Sequence, residues 1–533
     1  MDTEKFLISS LPMRVLKKLR DHTINKIAFS WRDLFFLYLY IAALITIVML
    51  LPTQATHYYD TRTAFIALGL LGIWRYSWWG LHVIRSFIYA KFVFPRRRLL
   101  ANQLWQSGWR PTVLYIMMTT YNELKETTEK VLDTLVNESK HLNIPIKLFV
   151  GIGSEYDQQV ITDFFSRVKS DFINVRFVQQ KMPGKRYAIG ETLRSMVVDG
   201  LAENDPVIFM DGDTYFTENS ITQCLPFFEI YPKLQALTTH EQAIVYGAPH
   251  WMKKWLEMRF IQRHFTMQSY ALSNKVLTLT GRMSMFRGKH LLSPDFIEII
   301  EQDHLHHWLW GRYRFLSGDD KSTWYYLLKE KAEMFYIPDV TTVTIEIIKG
   351  NPLSRMRENL RRWSGNTLRN GARAIALGPQ TVGFFIWWCI VDQRIAMWNM
   401  PIGLMIIALT ALTKNISVLL IYLIWIGFSR LCLSTVLFYY GKRIDMSFPF
   451  IIYFNQIMTS FIKIYILFRL PQQRWQNRGN QQAGFAQTQQ WPWRDWVANS
   501  LTVFYLLLFL VIILLYLDII SLPTFTDIKT ISL

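Results

Sequence analysis

The stretch from Val207 to Phe216 reads VIFMDGDTYF, and it decides how the central part of the chain is interpreted. Four apolar residues run directly into Asp211, Gly212 and Asp213. The apolar run predicts a buried strand, and the two carboxylates follow at the point where that strand ends. Two aspartates separated by one small residue suit a hard divalent cation, Mg²⁺ or Mn²⁺, which completes its shell with phosphate oxygens. An Asx turn explains a lone Asp-x-Asp equally well, so the surrounding sequence has to decide.

Strand and helix patterns alternate over residues 112–240. The predicted strands are Thr112–Thr120, Ile146–Ile152, Val175–Gln179 and Pro206–Met210, and the predicted helices are Leu124–Ser139, Asp157–Lys169 and Lys185–Leu201. This alternation predicts an α/β domain with a mixed, mainly parallel sheet. Ligands of such sheets bind beyond the carboxyl ends of the strands, where both TTYNE (119–123) and DGD (211–213) would lie. The first strand is not followed by Gly-x-Gly-x-x-Gly, which disfavours a dinucleotide fold.

Long apolar runs flank this domain on both sides. Their lengths suit a bilayer core of about 30 Å. The runs are Leu34–Leu51, Phe65–Tyr89, Val382–Leu412, Ile416–Tyr440 and Leu501–Ile520. The sequence therefore predicts a multi-span α-helical membrane protein with one large soluble domain inserted between its helices.

The net charge of +18 is placed as membrane topology requires. Residues 1–33 carry seven Lys and Arg and residues 91–98 carry four, whereas Pro52–Thr63 has one Arg and one Asp. The positive-inside rule then predicts a cytoplasmic N-terminus and a cytoplasmic soluble domain. Nucleic acid is not an expected partner, because lipid topology accounts for the charge. Phe448–Leu470 holds Asn455, Gln456 and Lys463 between basic flanks, so we interpret it as an interfacial helix, which leaves five spans and an outside C-terminus.

These patterns divide the chain into six parts. We expect a basic cytoplasmic N-terminus at 1–33, two transmembrane helices at 34–92, a soluble domain at 93–350, an amphipathic interfacial helix at 351–379, transmembrane and interfacial helices at 380–520, and a tail at 521–533.

Two further motifs carry charged residues at predicted helix starts. In PGKR (183–186), Lys185 and Arg186 would meet phosphate oxygens, although a solvated helix start explains them as well. In FLSGDD (315–320), Asp319 or Asp320 could act as general base on an acceptor hydroxyl, and the alternative is an N-cap. A doubled aspartate after glycine exceeds what capping needs.

The stretch MRENLRRWSGNTLRNGARAIALG (356–378) predicts an amphipathic helix, with apolar residues at 353, 356, 360 and 363. Six arginines lie between 355 and 373, which suits a membrane surface. Trp363 could also stack on a sugar ring, and Arg362 could meet phosphate.

Taken in order, Tyr-Asn-Glu, Gly-Lys-Arg, Asp-x-Asp, Gly-Asp-Asp and Arg-Trp resemble the motifs of the processive family 2 glycosyltransferases, which include the cellulose, chitin and hyaluronan synthases. Four longer stretches look like the bacterial mannuronan (alginate) synthase catalytic subunits within that family: 69–85, 276–287, 311–328 and 454–470. The resemblance runs from about residue 34 to residue 500. It implies a GT-A-like fold for the cytoplasmic α/β domain.

The resemblance also implies roles for particular residues. Asp211 and Asp213 would hold the donor diphosphate and its metal, and Asp320 would be the base, with Asp319 beside it. Donor contacts are implied for Thr119, Tyr121, Glu123, Lys185, Arg186, Arg362 and Arg478, and acceptor contacts for Thr280, Gly281, Arg282, Met283, Trp363 and Trp475. RWQNR (474–478) is similar to the Trp-x-x-Arg gating segment of hyaluronan and chitin synthases.

The sequence departs from the family pattern at two places. Asn359 replaces the glutamine of Gln-x-x-Arg-Trp, and GIGSEYD (151–157) replaces the usual paired aspartates after the second strand. Asp157 becomes a candidate for a nucleotide contact there. Arg282, Lys321 and Arg478 are candidates for binding a sugar carboxylate.

The implied activity is polymerisation of GDP-mannuronate into β-1,4-mannuronan by one inverting displacement per sugar, with Mg²⁺ or Mn²⁺, and export of the chain through the later spans. The implied location is the bacterial inner membrane. The chain contains no cyclic-di-nucleotide-sensing motif, so a separate c-di-GMP-sensing membrane partner and envelope export proteins are expected. The alternatives are a cellulose, hyaluronan or poly-N-acetylglucosamine synthase, a non-processive lipid-linked transferase, and a transporter or scaffold with a degenerate enzyme domain.

Overall fold

The computed structural model describes residues 30–52, 62–473 and 492–521. These residues belong to two compact units. The sheet unit comprises His82–Val391 and the segment that begins at Leu470, and the helical unit comprises the described parts of Ile27–Leu81, Asp392–Arg469 and Trp491–Leu533.

The strands in chain order are β1 Leu114–Thr120, β2 Ile146–Ile152, β3 Ile173–Gln179, β4 Pro206–Asp211, β5 Thr214–Phe216, β6 Leu234–Tyr246, β7 Ser284–Arg287, β8 His304–His307, β9 Gly311–Arg314 and β10 Glu333–Ile347. The helices in chain order are α1 Trp31–Met49, α2 Arg62–Ile88, α3 Phe94–Gln106, α4 Lys125–Leu142, α5 Glu155–Arg167, α6 Lys185–Val198, α7 Pro226–Ile230, α8 His250–Ala271, α9 Gly288–Leu291, α10 Pro294–Glu301, α11 Asp319–Lys329, α12 Pro352–Ala376, α13 Gly378–Val382, α14 Phe384–Ile395, α15 Asn399–Thr413, α16 Val418–Gly441, α17 Phe448–Leu467 and α18 Pro492–Tyr516.

Eight strands form one sheet in the order β3-β2-β1-β4-β7-β6-β10-β5, and β8 pairs with β9 in a separate hairpin. The β1–β2, β2–β3, β1–β4 and β6–β10 pairs are parallel, while β7 and β5 run antiparallel to their neighbours. The prediction of a mixed, mainly parallel sheet is confirmed. Strand β1 is buried along its whole length, as expected for a central strand covered on both faces.

The predicted elements of residues 112–211 are all present, with ends displaced by a few residues. Local signals explain several of these ends. The side chain of Ser154 caps α5 by accepting a hydrogen bond from the backbone N–H of Asp157. Asn143 takes a left-handed conformation at the end of α4, which is a common way to terminate a helix.

Five helices of the chain are long and apolar enough to cross a membrane, judged over the described residues: Trp31–Met49, Phe384–Thr413, Val418–Gly441, Phe448–Leu467 and Pro492–Tyr516. The chain is a membrane protein in which such helices flank the α/β domain on both sides. Within the helical unit, α2, α15 and the end of α18 share a core of Ala64, Ile406, Ile513 and Leu517.

This set of helices differs from the expected spans at two positions. Phe448–Leu467 is as long and apolar as a span, although we expected an interfacial helix there. All but the last residue of the predicted span Phe65–Tyr89 lie in the continuous helix α2. This helix is not in the set because Arg75, Arg85 and several tryptophans lower its apolar character. The orientation of the C-terminus remains a prediction.

Candidate active site

The carboxyl ends of β1 and β4 lie side by side, as the sequence predicts. Thr119 pairs in register with Asp211, and the backbone N–H of Gly212 donates to the carbonyl oxygen of Thr119 at 3.0 Å. Because Gly212 has no side chain, the loop can press against Thr120; a Cβ atom there would lie 3.0 Å from the Cβ of Thr120. The two motifs therefore form one edge of the sheet.

Lys185 joins the DGD motif to the GDD motif. Its Nζ lies 2.7 Å from Oδ1 of Asp211 and 3.0 Å from Oδ2 of Asp319. The lysine side chain is only 8% exposed, so this contact is largely screened from water. The sequence predicted the DGD motif at the sheet edge and the GDD motif at a helix start, and the structure brings the two together through this single ammonium group.

Gly281 packs directly against the Lys185–Asp211 pair. A Cβ atom at position 281 would lie 3.1 Å from both Nζ of Lys185 and Oδ2 of Asp211. Thr280 and Gly281 also share a small pocket with the paired aspartates. Its wall is formed by Ile189, Phe209, Leu279, Thr280, Gly281, Phe286, Ile300, Asp319, Asp320 and Thr323. The stretch expected to hold the acceptor thus borders the residue expected to act as base.

The two carboxylates that follow Gly318 have opposite electrostatic surroundings. The positive charges of Lys185 and Arg186 outweigh the effect of burial at Asp319 and lower its pKa. Burial and the adjacent charge of Asp319 raise the pKa of Asp320 to about 6. Asp319 is therefore held as a carboxylate, whereas Asp320 exchanges its proton close to neutral pH. Such a separation of neighbouring pKa values is typical of general acid–base sites.

Asp213 is half-buried and lies beside Asp211. Burial raises its pKa, and repulsion from the charge of Asp211 adds to the effect. Its Oδ2 accepts a hydrogen bond from Thr344 Oγ1 at 3.2 Å. A cation between the two aspartates would relieve this repulsion, so the donor set fits a divalent metal. In the described part of the chain, no group of three or more His, Cys, Asp and Glu side chains could hold a metal ion.

Arg282 is held by two glutamates. Its guanidinium donates to Glu241 at 3.1 Å and to Glu346 at 3.3 Å, and its positive charge is one of those that act on Asp213. Both of these partners were missed at the level of sequence. This arrangement favours Arg282 as a fixed positive charge behind Asp213, and not as a side chain that is available for a sugar carboxylate.

Arg186 lies inside the protein, contrary to the expectation that it meets phosphate. It is 4% exposed and donates to the carbonyl oxygens of Ile300 (2.7 Å) and Ser317 (3.2 Å) and to Oγ of Ser322 (3.0 Å). Neighbouring residues of a helix point about 100° apart, so Lys185 and Arg186 face different surroundings. Arg186 fixes the loop that carries Asp319.

The side chain of Asp157 supports the loop after β1. This buried carboxylate accepts hydrogen bonds from the backbone N–H of Asn122 at 2.9 Å and from Oγ of Ser154 at 2.7 Å. Asp157 therefore supports the loop, whereas the sequence suggested a nucleotide contact. The ring of Tyr121 lies against the backbone of Gly153, where a Cβ atom would come within 2.6 Å of the ring.

The remaining predicted residues surround this edge. Burial raises the pKa of the Tyr215 phenol, and the negative charges of Asp213 and Glu123 raise it further. Met283 is buried, and its carbonyl oxygen accepts from Thr238 and Thr280 at 3.1 and 3.3 Å, so its role is structural. Lys321, a candidate for binding a sugar carboxylate, donates to the carbonyl oxygen of Leu277, and burial lowers its pKa to about 8.

The Arg-Trp motif lies in α12. The ring of Trp363 stacks on Trp255 with centroids 6.0 Å apart, and the guanidinium of Arg259 lies 5.3 Å from the centre of the Trp363 ring. Burial lowers the pKa of Arg362, and Arg355 and Arg282 contribute positive charge to the same region. Asn359 is buried, and its amide nitrogen has no hydrogen-bond partner among the residues that the structure describes.

Trp475 and Arg478 lie outside the described residues, so their predicted roles remain predictions. The side chain of the residue before this segment, Gln473, forms two hydrogen bonds. Gln473 accepts a hydrogen bond from the backbone N–H of Leu316 at 3.0 Å and donates to the carbonyl oxygen of Arg314 at 2.9 Å. The side-chain amide of Gln473 is therefore held beside Leu316, two residues before the GDD motif.

Known proteins that are similar to this chain point to one family. Residues 111–366 match the family described as Glycosyltransferase like family 2. The chain is 33% identical over 466 residues to glycosyltransferase Alg8 of Pseudomonas syringae pv. tomato, covering 87% of this chain and 94% of the relative. It is 30% identical over 480 residues to glycosyltransferase Alg8 of Azotobacter vinelandii, covering 90% and 96% of the two chains.

Among solved structures, the chain is similar to the mannosyltransferase PcManGT from Pyrobaculum calidifontis in complex with GDP-Man and Mn²⁺, with a TM-score of 0.42 and 13% identity over 71% of this chain and 98% of that one.

The chain belongs to the family 2 glycosyltransferases. It is a glycosyltransferase related to Alg8 along most of its length, with a GT-A domain set in a membrane protein.

Proposed function

We propose that this enzyme is a processive synthase that polymerises GDP-mannuronate into β-1,4-mannuronan, the precursor of alginate, and exports the growing chain. The relationship to Alg8 over both the sheet domain and the flanking helices supports this choice. The catalytic domain would face the cytoplasm of a bacterial inner membrane, as the distribution of Lys and Arg predicts.

The observation that supports the chemistry most directly is the position of Lys185 between Asp211 and Asp319. On one side this ammonium contacts Asp211, in the motif expected to hold the donor diphosphate. On the other side it contacts Asp319, in the loop that carries the expected base. A donor bound along the DGD motif would therefore present its anomeric carbon toward Asp320 and toward the acceptor pocket at Thr280 and Gly281.

In the proposed reaction, the Asp320 carboxylate accepts the proton of the acceptor hydroxyl. The oxygen of that hydroxyl attacks the anomeric carbon, and the bond from this carbon to the diphosphate oxygen breaks on the opposite face. The displacement inverts the configuration once. Lys185 stabilises the negative charge that develops on the leaving nucleoside diphosphate. Asp319 holds Lys185 and raises the pKa of Asp320 toward neutrality, where a general base is effective.

Asp211 and Asp213 would hold Mg²⁺ or Mn²⁺. Such a cation binds one or two carboxylates and completes its shell with substrate phosphates and water, which agrees with the two acidic side chains present. When bound, it would add positive charge beside the leaving diphosphate. Arg282, fixed by Glu241 and Glu346, would stabilise the negative charge of Asp213.

The proposed partners are the donor, the growing polysaccharide, membrane lipid, a separate c-di-GMP-sensing membrane protein and envelope export proteins. A synthase of another exopolysaccharide, such as cellulose, hyaluronan or poly-N-acetylglucosamine, would use the same residues on a different sugar. The test is to incubate purified membranes with one sugar nucleotide at a time and to analyse the product sugar. Polymer from GDP-mannuronate alone is expected; polymer from a neutral donor alone contradicts the choice of sugar.

A further inference from the structure

One arginine of the helical unit lies deep within an apolar helix. Arg430 is twelve residues after the start of α16 and eleven before its end. At 1.5 Å per residue it is therefore about 17 Å from either end of the helix, which corresponds to the middle of a bilayer core of about 30 Å. A guanidinium at this depth is costly unless it has a partner, so its presence calls for a reason.

Tyrosines from several helices surround Arg430. Its Nη1 donates to the hydroxyl of Tyr76 in α2 at 3.0 Å and to Oγ of Ser429 at 3.2 Å. The guanidinium carbon lies 5.6 Å from the ring centre of Tyr453 in α17, and the hydroxyl of Tyr453 is 3.3 Å from that of Tyr422. We call Arg430, Tyr76, Tyr422 and Tyr453 the arginine–tyrosine cluster.

The cluster has no negative charge to balance the arginine. In the described part of the chain, no Asp or Glu forms an ion pair with Arg430, and its Nε is buried without a hydrogen-bond partner although the residue is only 7% exposed. Another arginine of the same unit shows the contrast: Nη1 of Arg75 lies 2.7 Å from Oδ1 of the buried Asp392. Arg430 therefore has donors and charge available for an anion.

We propose that the arginine–tyrosine cluster binds the carboxylate of an acidic sugar unit of the growing polymer as it passes through the membrane. This inference rests on the proposed function. A guanidinium matches the geometry of a carboxylate and offers paired donors. The neighbouring phenols supply hydroxyl groups and aromatic faces, which suit the hydroxyls and the ring of a sugar. Lipid phosphates have the same charge, but they lie at the bilayer surface, far from the middle of α16.

The test uses the purified full-length protein in detergent and short mannuronate oligosaccharides as the probe. Binding is measured by isothermal titration for the wild type, Arg430→Gln and Arg430→Lys. We expect Arg430→Gln to weaken oligomannuronate binding roughly ten- to hundredfold, as the loss of a charge-assisted contact predicts, and Arg430→Lys to retain part of it. Unchanged binding by Arg430→Gln would overturn the proposal.

The control variant is Cys432→Ala, on the same helix two residues away. We expect it to bind oligomannuronate like the wild type. A second measurement needs no variant: methyl-esterified oligomannuronate, which lacks the negative charge, should bind the wild type at least tenfold more weakly. Equal binding of the ester and the acid overturns the proposal even if Arg430→Gln fails to fold.

Two further outcomes identify the source of the anion and separate this inference from the proposed function. If phosphatidylglycerol in mixed micelles displaces oligomannuronate from the wild type but not from Arg430→Gln, the occupant is a lipid and the proposal is wrong. If GDP-mannuronate yields polymer while Arg430→Gln still binds the oligosaccharide normally, this inference alone fails. If the wild type uses only a neutral donor, the proposed function fails, whatever the titration shows.

Discussion

Nζ of Lys185 lies 3.0 Å from Oδ2 of Asp319. Each of these two residues begins a helix immediately after a glycine with positive φ. Gly184 has φ +128° and Gly318 has φ +89°, a region that other residues seldom adopt. A Cβ atom on Gly318 would also come within 2.8 Å of the Asn366 side chain. The two glycines thus direct two helix starts toward one point, where the proposed mechanism requires both a diphosphate and a base.

Lys185→Met removes the positive charge between Asp211 and Asp319. We expect nucleoside diphosphate binding to weaken roughly tenfold or more, because a charge-assisted contact is lost and two carboxylates remain uncompensated. Lys185→Arg should keep part of the affinity. Isothermal titration of GDP measures the effect, with Lys181→Met, an exposed lysine four residues earlier, as the matched control. Normal GDP affinity in Lys185→Met would remove this lysine from the donor site.

Asp213→Asn should abolish polymer synthesis and remove the metal-dependent part of donor binding, because an amide is a poor ligand for a hard cation. The swap keeps the shape of the side chain, so the fold should survive. GDP titrations with and without Mg²⁺ or Mn²⁺ measure the metal-dependent part. Asp171→Asn, an exposed carboxylate of the same domain, should behave like the wild type. Wild-type turnover by Asp213→Asn with either ion would contradict the proposed metal site.

Asp320→Asn should stop sugar transfer while GDP still binds. General-base catalysis is typically worth about 10²- to 10⁴-fold in rate, and the asparagine cannot accept the proton. An N-cap role predicts another result, because Asn caps a helix about as well as Asp and activity would persist. A polymer assay and a GDP titration on the same preparation distinguish these roles. Loss of GDP binding would instead move Asp320 into the donor site.

The rate of sugar transfer should fall as the pH is lowered through about 6. Burial and the charge of Asp319 raise the pKa of Asp320 to about that value, and only the deprotonated form can act as base. Activity is therefore full above the pKa and lost below it. Asp319→Asn removes one of the causes, so the midpoint of its pH–rate profile should move to lower pH. A midpoint that stays in place would show that another group controls the profile.

A reporter fused after residue 100 or residue 370 should be cytoplasmic, and one fused at the C-terminus should lie outside. The reason is charge: residues 469–494 carry four arginines, whereas residues 521–533 carry one lysine. The result also decides the status of α17. A cytoplasmic C-terminus would mean that Phe448–Leu467 crosses the membrane, as its length and composition allow.

Sequence patterns predicted the strands that form the site and the edge at which they end. The reason is local: an apolar run followed by Asp-Gly-Asp marks both the strand and its end. The doubled aspartate of the GDD motif was recognised from another local pattern, two acidic residues after a glycine at a predicted helix start. A local signal for the support of the loop after β1 is also present in the sequence, because Ser154 and Asp157 have the spacing of a helix cap.

Partners distant in sequence could not be predicted in this way. Arg282 meets Glu241 and Glu346, which lie on two strands 41 and 64 positions away. No local pattern specifies such a pairing, so Arg282 looked available for a substrate. The misplacement of Arg186 has a different cause. Its motif indicated a charged helix start, but only the packing of α6 against the GDD loop decides which of two adjacent side chains faces the donor.

The position of β10 inside the sheet also affects how the chain is made. This strand lies between β6 and β5, yet Glu333 is synthesised 87 residues after Tyr246, the end of β6. At about 5–20 residues per second, roughly 4 to 17 s pass between the synthesis of β6 and the start of β10. During this interval one edge of β6 is unpaired and is open to incorrect strand pairing. Thr344, which donates to Asp213, arrives on the same late strand. The candidate active site is therefore among the last parts of the sheet to be assembled on the ribosome.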